Sequence, residues 1–285
     1  MKIVVTGHGG QLSSEFFYIK SYNKNWKFIS ENDLDISDRY ATLEYFKKKK
    51  IDLIINCAAY TAVDKAEENI DLAYNVNYLG VKNLLEACKF NDSKIIHFST
   101  DYVFDGESII PYNENDLTNP TSIYGKSKLK GEIEIQESDV KSIIVRTSWV
   151  YSCYGNNFVK TMLKLSKSND EISVISDQIG SPTYAEELAK AILIILKNKK
   201  YKWISGDIFN FSNNGKCSWY DFAKEIFFIQ QIPIKINKIK SKDYITLARR
   251  PKYSLLNKNK FEKIFNFKIN SWEIALKNML KKLNT

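Results

Sequence analysis

Tyr124 and Lys128 stand four residues apart at the start of Ile123–Gln136, a segment with a helical pattern. That spacing puts a phenol and an amine on one helical face. A phenol with an ordinary pKa near 10 is a poor acid-base group at neutral pH. A neighbouring ammonium stabilises the phenolate and lowers that value. Such a pair can protonate the oxygen of a carbonyl while hydride arrives at its carbon. By itself the spacing also fits an exposed helix with a half-buried tyrosine, so the setting decides. Phe98-Ser99-Thr100-Asp101-Tyr102-Val103-Phe104 leaves a strand one unit earlier. From it Thr100 is expected to hydrogen-bond the substrate oxygen beside Tyr124, with Ser99 free to cap the strand end.

Hydride needs a carrier, and the N-terminus offers a place for one. Thr6-Gly7-His8-Gly9-Gly10-Gln11-Leu12-Ser13 follows a first strand and opens a helix. Glycines there let backbone approach a pyrophosphate, whose charge meets the helix N-terminus. Ser13 stands at the usual third glycine, where a small residue still permits helix–strand packing. An acid for the ribose hydroxyls belongs about 20 residues on. Glu31 is the candidate, with Asp33 and Asp35 nearby; its alternative role is to solvate the strand end. Ala58, Ala59 and Tyr60 close a third strand with the small residues that a cofactor across the sheet edge, or close helix packing, requires.

The elements that must carry these groups alternate. Strands are expected at Lys2–Thr6, Trp26–Ser30, Asp52–Cys57, Lys94–Ser99 and Ser142–Arg146. Helices are expected from the Gly-rich turn to about Lys20, then at Arg39–Lys49, Leu72–Phe90 and Ile123–Gln136. Such alternation predicts a doubly wound α/β fold, a parallel sheet covered on both faces. After Trp149 the pattern loosens. Helical signals fall at Phe158–Leu165, Ala185–Leu196, Ser218–Ile229 and Trp272–Leu283, with strands at Ile172–Ile175 and Asp207–Phe211. We read residues 1–150 as a dinucleotide-binding domain and 151–285 as mainly a smaller α/β substrate-binding domain. Segments near 172–198 and 247–270 are able to return to the first.

Composition narrows the function classes. The 285 residues are 44% hydrophobic and 13% aromatic, enough for a large core. No apolar run approaches the ~18 residues of a membrane span, and the N-terminus lacks the pattern of a secretory leader, so a cytoplasmic location is expected. The net charge of +9 comes without a basic stripe interleaved with aromatics, so nucleic-acid binding is not expected. Cys57, Cys88, Cys153 and Cys217, with His8 and His97, have no metal-ligand spacing, and no metal site is expected.

Together these segments resemble the dTDP-4-dehydrorhamnose reductases, a branch of the extended short-chain dehydrogenase/reductases. The motifs that carry the likeness span nearly the whole chain. They include Asn56-Cys57-Ala58-Ala59-Tyr60-Thr61-Ala62-Val63-Asp64-Lys65-Ala66-Glu67, Ser99-Thr100-Asp101-Tyr102-Val103-Phe104-Asp105-Gly106, Tyr124-Gly125-Lys126-Ser127-Lys128, Gly155-Asn156-Asn157-Phe158, Asp177-Gln178-Ile179-Gly180-Ser181-Pro182-Thr183 and Ala248-Arg249-Arg250-Pro251. The resemblance implies a Rossmann-type sheet and a catalytic triad of Thr100, Tyr124 and Lys128. It implies NADPH or NADH bound by Gly7, Gly10, Gln11, Leu12, Asp35, Ile36, Ala58, Ala59, Tyr60 and Lys128.

It also implies reduction of the C4 ketone of a dTDP-deoxysugar. For that substrate Tyr102, Phe104 and Trp149 are expected as an aromatic wall, and Asn156, Asn157 and Gln178 as polar fixings. Lys160, Arg249 and Arg250 are expected on the diphosphate. Core packing of Trp149 and a surface role for the arginine pair are the alternatives. An enzyme acting on another nucleotide-deoxysugar, or a non-catalytic subunit with the same fold, would share much of the pattern. Some members of the family form dimers bridged by magnesium through glutamates. Glu15 and Glu186 match two of these, but the third position falls in the lysine-rich Leu280–Leu283, so a bridging Mg²⁺ is not expected; a homodimer is compatible with the sequence.

Overall fold

The computed structural model describes residues 1–20 and 23–284. In chain order the elements are β1 (Ile3–Thr6), α1 (Gln11–Lys20), β2 (Trp26–Phe28), α2 (Arg39–Lys47), β3 (Leu53–Asn56), α3 (Val63–Glu68), α4 (Ile70–Tyr74), α5 (Gly80–Asn91), β4 (Lys94–Thr100), α6 (Ile123–Gln136), β5 (Ser142–Thr147) and β6 (Val150–Tyr151). They continue with α7 (Phe158–Leu165), β7 (Glu171–Ile175), β8 (Ile179–Gly180), β9 (Thr183–Tyr184), α8 (Ala185–Lys197), β10 (Asp207–Asn210), β11 (Cys217–Ser218), α9 (Trp219–Gln230), β12 (Lys235–Ile239), α10 (Asn259–Phe265) and α11 (Trp272–Leu283).

Six strands form one parallel sheet in the order β2-β1-β3-β4-β5-β10. From β1 the chain goes to β2 on one side and to β3 on the other. The crevice at this reversal of strand order is where doubly wound sheets bind ligands. Successive side chains of each strand enter opposite faces. Val5, Ile55, Phe98 and Val145 pack with Phe16 of α1, Leu188 and Ile192 of α8, and Phe261 of α10. Val4, Ile54, Ile95 and Ile144 pack with Phe46 of α2, Leu84 of α5 and Ile135 of α6. Both faces are therefore covered, which explains why the strands read as continuous apolar runs rather than alternating ones.

A third cluster gathers Val159, Met162, Val174, Phe222, Ile226 and Leu276 from α7, β7, α9 and α11, beside the paired strands β7 and β12. Several short elements carried no clear sequence signal. The strand pairs β6–β9 and β8–β11 are two residues long, too short for a period to show. The expected helix Leu72–Phe90 is three pieces, because a π turn at Asn75–Leu79 joins α4 to α5. Extra residues in a helix commonly serve a functional site, and here Asn77 supplies the reason. Its buried amide pairs with both the N–H and the carbonyl of Tyr60, at 2.9 and 3.0 Å, and donates to Ser127 Oγ at 3.0 Å.

Candidate active site

Helix α6 is fixed at its start by two acceptors. Ser122 Oγ takes the Gly125 N–H at 3.1 Å, and Glu67 Oε1 takes the Ile123 N–H at 2.9 Å. Such caps satisfy donors that a helix leaves unpaired. Farther along, Glu132 is fully buried and holds the almost fully buried Arg146 of β5 at 2.7 Å. Ser127 Oγ, held by Asn77, donates to the Tyr124 carbonyl at 2.8 Å. The helix face bearing Tyr124 and Lys128 is thus clamped to β5, to the π turn and to α3.

Both side chains point at the C-terminal end of β4. The Tyr124 phenol hydrogen-bonds the Thr100 hydroxyl, and the Tyr102 ring meets it edge-on, centroids 5.5 Å apart. Burial drives the phenol upward, and the Thr100 contact offsets only part of that rise. The expected lowering by lysine is absent in this state, because the Lys128 amine turns to the sheet. It donates to the Phe98 carbonyl at 2.7 Å and lies 3.2 Å from His97 Nε2. Burial brings this lysine down to about 8. Thr100 Oγ1 donates to Asp101 Oδ1 at 3.0 Å and accepts from the Tyr102 N–H at 3.2 Å. Asp101 is buried, which raises its carboxyl to about 6. Ser99 Oγ is buried and has no hydrogen-bond partner, so it does not cap the strand.

The Gly-rich turn lies beside this centre. Gly7, at φ +71°, packs so closely on the next strand's end that a Cβ would sit 2.6 Å from the Ala58 nitrogen. Gly9, at φ +98°, faces open space. Ser13 is buried, and its hydroxyl donates to the Gly7 and Gly10 carbonyls at 2.5 and 3.1 Å. It therefore ties the turn together where a third glycine was expected. These features fit a dinucleotide phosphate at the start of α1, whose first N–H groups have no partner within the helix. Ala58 packs against Gly7, the Gln11 side chain donates to the Val150 carbonyl and accepts from Asn157, the Tyr60 backbone is held by Asn77, and Leu12 leans on the core. Glu31 is exposed beyond β2, whereas Asp33 and Asp35 are taken up by Ser30 and Ser37. The Ile36 side chain is core, 4% exposed, leaving only its backbone for a ligand.

The substrate-side expectations divide. Phe104 does not line the wall: it is 1% exposed, stacked on Tyr112 at 4.2 Å with the Arg146 guanidinium over its ring. Its place behind the 3₁₀ turn Asp101–Val103 turns it inward. Trp149, at φ +49°, stacks on Trp219 at 3.6 Å and stays partly exposed. Asn157 caps α7 through the Lys160 N–H, and its NH₂ reaches Ser152 O and Gln11 Oε1, so it holds the loop rather than standing free. The Lys160 amine is likewise turned to the carbonyls of Cys153 and Gly155, at 3.3 and 2.8 Å. Asn156 is exposed on that loop, and Gln178 is buried and donates to Ser241.

Arg250 is half-buried between Asp64, at 2.5 Å, and the Tyr102 hydroxyl, at 3.3 Å, which connects it to the Tyr124 ring. Arg249 is exposed and paired with Glu107. Lys282 of α11 sits 2.9 Å from Glu15 and 2.7 Å from Glu186, an ammonium between the two glutamates. Among the described residues no group of three or more His, Cys, Asp or Glu is placed to hold a metal ion, and no helix is long and apolar enough to cross a membrane.

Sequence reasoning missed His97, Asn56, Asn77 and Asp64. The signal for His97 was a polar ring inside the otherwise apolar strand Lys94–Phe98. For Asn77 it was an amide interrupting the apolar helical stripe. A buried polar group needs a partner, and these residues partner the site.

The whole chain, residues 1–285, matches the family described as RmlD substrate binding domain. A dTDP-4-dehydrorhamnose reductase of Aggregatibacter actinomycetemcomitans is 40% identical over 292 residues, covering 98% of each chain. The solved dTDP-4-dehydrorhamnose reductase of Clostridium acetobutylicum is 42% identical, with a TM-score of 0.92 and all of both chains covered. That of Bacillus anthracis, solved in complex with NADP, is 36% identical, with a TM-score of 0.93 and coverage of 99% of this chain and 100% of its own. The chain belongs to the dTDP-4-dehydrorhamnose reductase family, oxidoreductases built on the extended short-chain dehydrogenase/reductase fold.

Proposed function

We propose that the chain reduces the C4 ketone of dTDP-4-dehydro-β-L-rhamnose to the alcohol of dTDP-β-L-rhamnose. The observation that carries this reading is the Tyr124 phenol on the Thr100 hydroxyl, one helical turn from Lys128 and beside the Gly-rich turn. A bound nicotinamide, NADPH or NADH, supplies hydride. Gly7, Gly10, Gln11, Ala58, Ala59, Tyr60 and the start of α1 hold its dinucleotide, with Glu31 the acid available to the ribose. Tyr124 gives its phenolic proton to the C4 oxygen. Burial suits it to that task, because a neutral phenol is the donor form. Thr100 orients the same oxygen, and Lys128 restores the proton to Tyr124 and holds the nicotinamide ribose. Tyr102 and Trp149 flank the sugar, and Arg250, held by Asp64, meets the diphosphate as a guanidinium fork.

A coupled assay tests the whole reading. The dTDP-4-keto sugar is generated enzymatically, NADPH and NADH are compared, and the product is identified by NMR. The expected outcome is nicotinamide oxidation matched one-to-one by dTDP-β-L-rhamnose. A different hexose epimer, or no oxidation with either cofactor, refutes it.

A further inference from the structure

One face of α1 carries Gln11, Glu15 and Tyr18, four and seven residues apart. All three meet the segment Val150–Asn157 of the substrate half. The Tyr18 and Tyr154 rings lie 6.3 Å apart, and Glu15 receives the Ser152 hydroxyl at 2.6 Å. Gln11 holds the segment at both of its ends. Its NH₂ donates to the Val150 carbonyl at 3.3 Å, and its Oε1 accepts from the Asn157 NH₂ at 3.0 Å. Backbone groups fix both amides this way round. Asn157 Oδ1 faces the Lys160 N–H at 3.1 Å, and its NH₂ faces the Ser152 carbonyl at 2.7 Å. Turning that amide over would set donor against donor and oxygen against oxygen. Turning Gln11 over would do the same at Asn157 and at Val150. Gly155, at φ +63°, lies so near that a Cβ there would sit 3.0 Å from Gln11 Cγ. The segment is therefore packed on this one side chain.

The backbone of the same residue serves the other ligand. Gln11 opens α1 directly after Gly10 of the Gly-rich turn, where the first N–H groups of the helix have no partner within it. We propose that Gln11 is a positioning residue that couples the two ligands: its backbone borders the dinucleotide phosphate, its side chain fixes the Val150–Asn157 segment, and cofactor binding thereby readies the substrate side of the cleft. This rests on the cofactor and sugar nucleotide of the proposed function. A phosphate at the start of α1 orders the backbone from which the Gln11 side chain springs. A first ligand that meets the entropy of ordering leaves less of it for the second, which is positive cooperativity without a large movement. Trp149, the proposed flank of the sugar, immediately precedes Val150 and stacks on Trp219 at 3.6 Å, so whatever sets the segment also sets this ring. Glu15 lies a turn farther along α1, and its charge is met by Lys282. It anchors the segment without reaching the phosphate turn, which leaves Gln11 as the link.

Two measurements test the coupling, and neither needs turnover. The cofactor is NADPH or NADH, whichever the coupled assay selects. Adding it to the full-length protein should slow amide hydrogen exchange across residues 150–157 by about tenfold. In Gln11→Met, which keeps the bulk and removes both hydrogen bonds, it should not. Unchanged exchange in the wild-type protein, or equal slowing in Gln11→Met, overturns the proposal. The second measurement is calorimetric titration of dTDP-β-L-rhamnose with and without saturating reduced cofactor, a pair that cannot react. The cofactor should tighten binding of the sugar nucleotide by about tenfold, and the sugar nucleotide should tighten cofactor binding by the same factor. In Gln11→Met that factor should fall to within about twofold of one. Asn157→Ser keeps a cap for the Lys160 N–H but cannot reach Gln11; it should lose the coupling as well, and it stands in if Gln11→Met does not fold. A factor that survives in both variants refutes the inference. Failure of the sugar nucleotide to bind in either state would count against the proposed reaction instead, while the exchange result still decides the coupling.

Discussion

Two lysines show how differently one side chain can be used. Lys128 lies wholly inside the protein against a carbonyl and an imidazole, with no carboxylate in contact, and burial brings it down to about 8. Lys282 is a quarter exposed, and burial also opposes its charge. Hydrogen bonds to Glu186 and Glu15 outweigh that cost and drive its proton affinity above the usual lysine range. Depth decides the outcome for Lys128, and carboxylate neighbours decide it for Lys282. An amine whose proton is loosely held can exchange it in a catalytic cycle. One clasped by two carboxylates has a fixed charge and a structural role. It ties α11 to α1 and α8, next to the loop that Ser152 closes through Glu15 at 2.6 Å.

Substitutions should separate the two regions, and the largest effect belongs to the first. Tyr124→Phe should lower kcat by about 10²–10⁴-fold, the usual contribution of general acid catalysis. Cofactor binding, followed by fluorescence, should change little; near-normal turnover would remove the catalytic assignment. Lys282→Met should act on stability instead. It leaves the fully buried Glu15 without its cation, at a cost of about 3 kcal/mol in urea unfolding, the lower end for a broken buried pair because Lys282 is partly exposed. Turnover per folded molecule should stay within about twofold, and a Glu15→Gln, Lys282→Met double variant should recover much of the loss. A large fall in kcat for Lys282→Met, with stability unchanged, would erase the contrast.

The paired arginines sharpen it on a smaller scale. Arg250, wedged between Asp64 and Tyr102, should raise KM for the dTDP-sugar about tenfold when changed to alanine, as expected for a lost charge-assisted bond. Arg249, on an exposed pair, should change KM by about twofold or less. Equal effects would place both on the diphosphate.

The scaffold was readable because its strands are buried on both faces and its helices follow the 3.6-residue period, so the order of sheet and cover could be written from Lys2–Thr6 to Ser142–Arg146. The tyrosine–lysine pair was readable because four residues on a helix fix a shared face. The lysine's actual neighbours were not, since His97 and Asn56 come from other strands and their meeting depends on register, Asn56 opposite His97. Phe104 was misread for a related reason: a 3₁₀ turn reverses which side of the chain faces inward, and nothing in the sequence of Asp101–Phe104 announces it. Lys160 and Asn157 were expected on the ligand, but the loop after β6 leaves its own carbonyls and helix start in need of donors and a cap, and local bonds take them.

The pH dependence of activity and of stability, measured on one preparation, tests the central contrast directly. A lysine with a depressed value loses its ammonium as pH rises through about 8. In the folded state its burial opposes protonation, so Lys128 lowers stability below that pH and relieves it above. Lys282, with a raised value, contributes stability that is complete below the ordinary lysine value and is lost only as pH rises through its own higher one. Glu186, held down to about 2 by Lys190, Lys282 and Tyr184 against the cost of burial, contributes stability present above the ordinary carboxylate value and lost as pH falls from there toward 2. The account predicts that kcat/KM declines through about pH 8 while the unfolding temperature does not fall there but rises above it, as the burial penalty on Lys128 is relieved between about 8 and the ordinary lysine value. A single shared decline of activity and unfolding temperature near pH 8 would contradict it.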